Sequence, residues 1–157
     1  MRRPSMEDAV PAATLLNDEA RALLIERLQR VRPDAQPAWG ALDAPRMLCH
    51  LADNLRVALG DVSAKPVHTF ASRTLVKFLV VNTGFAPPRG KIQTAPEMLT
   101  SKPATWEADL AACVKLVERV GTGSARAVHP AFGPLSAEEW GRLCWKHTNH
   151  HLVQFGV

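Results

Sequence analysis

The chain has 157 residues, of which 46% are hydrophobic and 22% are charged, and its formal net charge is +4. This composition fits a globular chain with one core and excludes the apolar-poor, highly charged character of intrinsic disorder. Lysines and arginines are scattered along the chain rather than clustered, so we expect no nucleic-acid partner.

The first sixteen residues show no helical pattern, and we predict a flexible N-terminal arm over 1–16 followed by a single helical domain over 17–157. Residues 1–5 are basic but lead into no apolar stretch, so no signal peptide is predicted. The longest apolar stretch, 75–81, contains Lys77 and is too short to span a bilayer. The three cysteines are widely spaced and indicate no disulfide framework. We therefore expect a cytoplasmic protein with no membrane contact.

Two amphipathic helices are predicted in the first third of the chain. Asn17 offers an N-cap, and apolar residues then recur at helical spacing as far as Val31, before Pro33. A second helix is predicted to begin at Pro45, a favourable first-turn residue, and to end at Gly60. The apolar side of this second helix is wide: Met47, Leu48, Leu51, Leu55, Ala58 and Leu59.

The middle of the chain is the most difficult to interpret. Residues 69–81 are apolar and end in β-branched residues, so helix and strand compete, and we favour helix because nothing else in the chain offers a strand partner. Glycines and prolines then predict a long irregular crossover from Gly84 to Pro103. Such a crossover is expected where two helices of a bundle run parallel.

Two further helices complete an all-α prediction. A helix is expected over 104–120, and the Gly-rich segment 121–124 ends it. The last helix has a clear beginning, because Ser136 followed three residues later by Glu139 forms a capping box, and it continues to about Phe155.

The last helix carries the strongest functional signal. His147 and His151 are four residues apart, which separates them by about 40° around the helix axis and about 6 Å along it. Two imidazoles at this spacing can share one metal ion. The same face carries Trp140, Leu143, Cys144 and Gln154, so we expect it to point into the protein. Several inward imidazoles are difficult to satisfy with side chains alone, and a metal ion solves this problem.

Other histidines divide into candidates and bystanders. His50, on the second helix, is the natural third ligand. His150 lies at a different angle and is interpreted as a ligand, a hydrogen-bond partner of a ligand, or a general base, with direct coordination of the metal the less favoured. His68 and His129 lie in loop-like contexts and are interpreted as structural or surface residues. The simpler alternative for every one of these residues is a satisfied core or surface histidine.

A family resemblance follows from these residues. A histidine on the second helix and a last helix that reads His-x-x-His-His-x-x-Gln resemble the DinB-like superfamily of four-helix bundles. The family's metal ligands match His50, His147 and His151, and Gln154 closes the motif. The stretch 129–140, with His-Pro-x-Phe-Gly at its start, resembles a branch known mainly as a domain of unknown function. This chain departs from the usual motif after the paired histidines, where basic and small residues are replaced by leucine and valine.

The resemblance implies an up-down-down-up four-helix bundle with a long crossover, often assembled as a homodimer. It implies one divalent metal, usually zinc, nickel or another ion such as iron, and relatives that transfer low-molecular-weight thiols. The expected partner is a small-molecule substrate. A dimer is also compatible with the last helix itself, because Trp145 and Leu152 form a second apolar side opposite the histidines.

Three functions stay open at this point. The first is a metal-dependent thiol S-transferase that acts on small electrophiles, with His150 as the candidate catalytic group that moves protons. The second is a metal-dependent hydrolase, although no carboxylate follows the histidines as it does in metalloprotease motifs. The third is a non-catalytic, stress-linked helical binding module.

Overall fold

The computed structural model describes residues 13–85 and 96–157. Within these residues the protein is mostly helical, which confirms the all-α prediction. It contains five α-helices and one small sheet: α1 (Asp18–Arg30), α2 (Ala44–Leu59), α3 (Lys77–Asn82), α4 (Trp106–Gly121), α5 (Ala137–Gln154), β1 (Val128–His129) and β2 (Gly133–Pro134). None of the helices in the described ranges combines the length and hydropathy needed to cross a bilayer.

Helix ends follow the capping residues. The side chains of Asn17 and Asp43 accept hydrogen bonds from the first turns of α1 and α2, and Gly60 ends α2 with a left-handed φ of 79°. The capping box predicted at Ser136 and Glu139 is present at the start of α5. These signals are local, which explains why the sequence predicts these ends well.

The helix predicted over 69–81 is confirmed. A π-helical turn, Ser72–Val76, continues directly into α3. Lys146 of α5 donates hydrogen bonds to the carbonyl oxygens of Val80 and Thr83 at the end of α3, so a cation neutralises the negative end of this short helix. Part of the predicted crossover, 86–95, lies outside the described residues, and a short 3₁₀ turn, Pro96–Leu99, follows it.

The small sheet is an addition to the predicted helical fold, because the sequence pattern indicates no strand at β1 or β2. Val128 pairs with Pro134 and His129 pairs with Gly133 in an antiparallel arrangement. Each strand has two residues, and such a strand is too short to show the alternation from which strands are predicted. Just before β1, the Ala127 carbonyl accepts a hydrogen bond from the Trp140 indole of α5 at 2.8 Å, which ties this end of the sheet to the core.

The core lies between α2 and the other long helices, with α2 packed against both α4 and α5. Its largest fully buried side chains come from all four long helices: Leu24, Leu28, Met47, Leu48, Leu51, Leu55, Val117, Trp140 and Leu152. Residues 1–12 of the predicted arm lie outside the described residues, but Leu15 is fully buried and its amide donates to the Gly141 carbonyl at 3.1 Å. The central position of α2 brings its polar face against α5.

Candidate metal centre

Three histidines from two helices meet inside the protein. His50 is contributed by α2, and His147 and His151 lie one turn apart on α5. One ring nitrogen of each lies within 4.8 Å of one ring nitrogen of the others, so the three side chains are close enough to hold one metal ion. Within 13–85 and 96–157, no carboxylate or thiol joins this cluster.

The three rings are arranged as a propeller. Their centroids are 4.8–4.9 Å apart in each pair, and their planes cross at 81–86°. The Nε2 atoms of His50 and His147 are 3.0 Å apart. Zinc–nitrogen bonds of 2.0–2.1 Å at tetrahedral angles separate two ligand nitrogens by about 3.4 Å. The observed spacing is therefore close to that of a coordinated pair, and the donor set fits a divalent cation.

The outer nitrogen of His50 is fixed by a distant loop. Its Nδ1 lies 2.9 Å from the carbonyl oxygen of Met98, which can only accept a hydrogen bond. Nδ1 therefore carries the proton, and the lone pair of Nε2 points toward the other two imidazoles. This is the arrangement in which metal-ligating histidines are usually held.

Asp53 acts on this contact indirectly. Its buried carboxylate accepts hydrogen bonds from the backbone amides of Thr100 and Ser101, at 3.0 and 2.8 Å, and from Arg56. These bonds hold the segment that follows the 3₁₀ turn against α2. Asp53 thereby anchors the chain that presents the Met98 carbonyl to His50.

The outer nitrogen of His151 is fixed by its own helix. Its Nδ1 lies 2.7 Å from Oε1 of Gln154, and Nε2 of the same amide donates to the Trp39 carbonyl at 2.5 Å. The Nε2 lone pair of His151 is again left for the centre of the cluster. The match of Gln154 to the end of the sequence motif thus has a physical role.

His147 is held differently. Its Nδ1 is buried and has no hydrogen-bond partner among the described residues. Because the His50 Nε2 facing it carries a lone pair, the 3.0 Å contact requires a proton on Nε2 of His147. A cation at the centre would need that nitrogen deprotonated, so the proton must move to Nδ1 or leave the site.

Burial keeps all three imidazoles neutral. Burial lowers the pKa of His50, and it lowers the pKa of His151 to about 4 with the help of the neighbouring His50. The pKa of His147 is lowered furthest, by burial and by the surrounding imidazoles. Neutral imidazole is the form that binds a metal, so at neutral pH His50 and His151 already present lone pairs, and His147 needs only a change of tautomer.

The remaining candidates lie around this cluster or away from it. His150 is exposed, with its ring 5.1 Å from His151 and edge-on to Trp39 at 5.8 Å. His129 is the last residue of β1, and its Nδ1 accepts from the amides of Ala131 and Phe132 in the turn that follows. His68 lines a surface pocket with Phe70 and Arg73.

Cys144 is fully buried in the core, and burial raises the pKa of its thiol to about 12. It is therefore a packing residue, as its apolar surroundings in the sequence suggested. Sequence reasoning missed Met98 and Trp39, because a backbone carbonyl has no signature in the residue type that carries it.

Comparison with known proteins places the chain in one family. A family model described as "Protein of unknown function (DUF1569)" matches residues 16–156. No curated protein and no solved structure matches the chain. The matched region includes all three clustered histidines, together with Gln154, Met98 and Trp39. The chain therefore belongs to the DUF1569 family.

Proposed function

We propose that this protein is a metal-dependent enzyme of the DinB-like type, which transfers a low-molecular-weight thiol to a small electrophile. The observation that carries the proposal is the convergence of three neutral imidazoles without a fourth ligand in the described part of the chain. Structural zinc sites use four protein ligands, whereas catalytic sites use three and keep a position open.

The ligand set determines what chemistry is available. Three neutral imidazoles leave the full charge of a divalent cation uncompensated, and such a cation lowers the pKa of a thiol or water at its open position. No carboxylate joins the cluster within the described ranges, so the site lacks the carboxylate base that accompanies the histidines in metalloprotease motifs. This difference favours thiol transfer over hydrolysis.

The chain's own residues have separate tasks in this proposal. His50 and His151 hold their lone pairs toward the centre, because Met98 and Gln154 bind their outer nitrogens. His147 would stay neutral on binding a cation if its inner proton moved from Nε2 to Nδ1. His150, exposed beside His151, moves protons between the site and solvent.

The order of the helices along the chain supports the proposed similarity to DinB-like proteins. We propose that α1, α2, α4 and α5 form an up-down-down-up bundle, with the crossover between α2 and α4. The short α3 belongs to this crossover and packs on α5. A crossover of this kind lets α2 present His50 to α5.

The test begins with elemental analysis of protein purified without a histidine tag, in parallel with the His151→Ala variant. We expect about one divalent metal per chain, and much less in the variant. The metal-loaded protein is then assayed for transfer of several thiols, including mycothiol and bacillithiol, to an electrophile. Metal-free wild-type protein, or a metal-loaded protein with no dependence on any thiol, would contradict the proposal.

We also propose that the chain forms a homodimer through the exposed side of the helical region around α3. Large apolar side chains are exposed there: Val67, Phe70, Leu75, Val76, Phe78 and Phe85. Together they expose roughly 600 Å², which lies at the upper end of the range for the largest apolar patch on a monomer and approaches the roughly 800 Å² per partner of a standard interface. Light scattering should give a dimer mass, and Phe78→Glu should give a monomer.

A further inference from the structure

The loop 38–40 binds the end of α5 at Gln154, the residue whose side chain contacts His151. The amide of Ala38 donates to the backbone carbonyl of Gln154 at 2.8 Å, and the carbonyl of Trp39 accepts from the Gln154 side chain at 2.5 Å. The other end of the same side chain lies 2.7 Å from His151 Nδ1. One amide group therefore bridges the loop and the imidazole.

The loop decides which way this amide points. A carbonyl oxygen can only accept, so the amide nitrogen of Gln154 must face Trp39. The amide oxygen must then face His151, and an oxygen at that position requires a proton on Nδ1. If the loop were withdrawn, the amide could turn over and present its nitrogen, which favours the opposite tautomer of His151. The helix alone does not select between these two states.

The close approach of the loop depends on Gly40. Its φ is +85°, a left-handed conformation that glycine adopts readily, and a Cβ at this position would lie 2.7 Å from the side-chain nitrogen of Gln154. Any other residue here would displace the amide or the loop. Gly40 is therefore required both for the turn and for the contact beneath it.

We infer that the loop 38–40 is a positioning element of the candidate metal centre. Through Gln154 it fixes the tautomer of His151, so that the Nε2 lone pair is already directed at the cation. This inference rests on the proposed metal site for its consequence, a higher affinity for the cation. The tautomer itself is a property of the metal-free protein and can be measured independently. Partners of this kind usually change metal affinity by about 10- to 100-fold.

The experiment compares Gly40→Ala with Gly123→Ala. Both glycines have a left-handed φ, +85° and +76°, but a Cβ at Gly123 would have no neighbour within 4 Å. The control therefore carries the same backbone strain without touching Gln154. Affinity for Zn²⁺ is measured by competition with a chelator, and the tautomer of His151 is read from imidazole ¹⁵N shifts of the metal-free protein.

We expect Gly40→Ala to bind Zn²⁺ about 10- to 100-fold more weakly than wild type, and to show His151 as a mixture of tautomers. Gly123→Ala should keep the wild-type affinity and the Nδ1–H tautomer, even if both variants lose stability equally. Equal effects of the two substitutions on affinity and tautomer would overturn the inference. If wild type binds no Zn²⁺, the proposed function fails, and the ¹⁵N shifts still decide the inference.

A rescue experiment separates positioning from general damage. Gln154→Glu gives up the hydrogen bond to the Trp39 carbonyl, but it presents an acceptor oxygen to His151 in either orientation, so the Nδ1 proton of His151 no longer depends on the loop. In this background, Gly40→Ala should no longer change the His151 tautomer. A second mixture of tautomers in the double variant would show that the loop acts on His151 by another route, and would overturn the inference.

Discussion

Two buried histidine environments in this protein use the same side chain in opposite ways. In the cluster, His50 and His151 face acceptors at Nδ1, namely a carbonyl oxygen and an amide oxygen, so each keeps its Nε2 lone pair free. In the β1–β2 turn, His129 faces two donors, because the amides of Ala131 and Phe132 point at its Nδ1 from 3.0 and 3.1 Å. Its lone pair is used by the backbone.

The contrast teaches what distinguishes a ligand from a structural histidine. Burial lowers the pKa of both His129 and His151 to about 4, so neither burial nor protonation state separates them. The ring of His129 also stacks on Phe132 at 4.5 Å, which fixes it in the turn. The difference lies in the hydrogen-bond partner of Nδ1. An acceptor at Nδ1 leaves the Nε2 lone pair free for a metal, whereas a donor at Nδ1 occupies the lone pair of the imidazole.

The largest effect should separate the two environments directly. His50→Ala leaves the cluster with two imidazoles, and we expect the affinity for Zn²⁺ to fall by more than the roughly 100-fold upper range for loss of a supporting partner. His129→Ala should leave the affinity unchanged. Both are measured by competition with a chelator.

The two variants also control for each other, because each removes a buried imidazole. His129→Ala leaves the amides of Ala131 and Phe132 without their acceptor, so it should lower the free energy of unfolding by about 2 kcal/mol while the metal site survives. Loss of Zn²⁺ binding in both variants would mean that the cluster responds to general destabilisation, and the comparison would fail.

Features that depend on neighbouring residues can be predicted from this sequence, whereas contacts with backbone groups distant in the chain cannot. The caps at Asn17 and Ser136 and the spacing of His147 and His151 are local, and each is found as predicted. The acceptor for His50 comes from Met98, 48 residues away, through a carbonyl that every residue type possesses. No residue pattern marks such a contact.

The role of His129 likewise depends on backbone groups that no residue pattern in the sequence indicates. Its loop-like context suggested a structural residue, but the reason lies in the amides of Ala131 and Phe132, which point at its Nδ1 from the turn before Gly133. The strands on either side have two residues each, so they carry no periodic signal. Tertiary geometry, rather than residue type, supplies the donors.

The second largest effect is expected from substitution of Asp53, whose carboxylate holds the segment that presents the Met98 carbonyl to His50. In Asp53→Asn, an NH₂ group replaces one carboxylate oxygen and faces donors from Ser101, Thr100 or Arg56. We expect a loss of about 2–4 kcal/mol in the free energy of unfolding, because a buried acceptor is replaced by a donor. As the Met98 carbonyl shifts, Zn²⁺ affinity should fall about tenfold.

The matched control is Asp61→Asn, which removes another arginine-paired carboxylate. Asp61 pairs with Arg119 at 2.6 Å, but this pair is exposed and does not hold the segment that contacts His50. An exposed pair contributes less than about 1 kcal/mol, and the affinity for Zn²⁺ should not change. If Asp53→Asn weakened stability without changing affinity, the segment it anchors would have no part in holding His50.

The smallest expected effect is a change in the pH dependence of the free energy of unfolding, and it tests whether His129 stays neutral in the folded protein. The pKa of His129 is lowered by burial from 6.5 to about 4, so between these values the unfolded chain binds a proton that the folded chain does not. The stabilisation is complete above pH 6.5 and is lost as pH falls toward 4. At pH 5 the loss from this one group is about 2 kcal/mol.

His129→Asn isolates that contribution, because the asparagine side-chain oxygen occupies the place of Nδ1 and still accepts from Ala131 and Phe132 but does not titrate. Urea unfolding of both proteins at pH 8 and pH 5, with a chelator present, removes metal binding from the measurement. The clustered histidines titrate in both proteins, so the difference between the two pH responses belongs to His129. We expect wild type to lose about 2 kcal/mol more than the variant between pH 8 and pH 5. Equal losses would mean that His129 accepts its proton in the folded turn, and that the donors around Nδ1 do not hold it neutral.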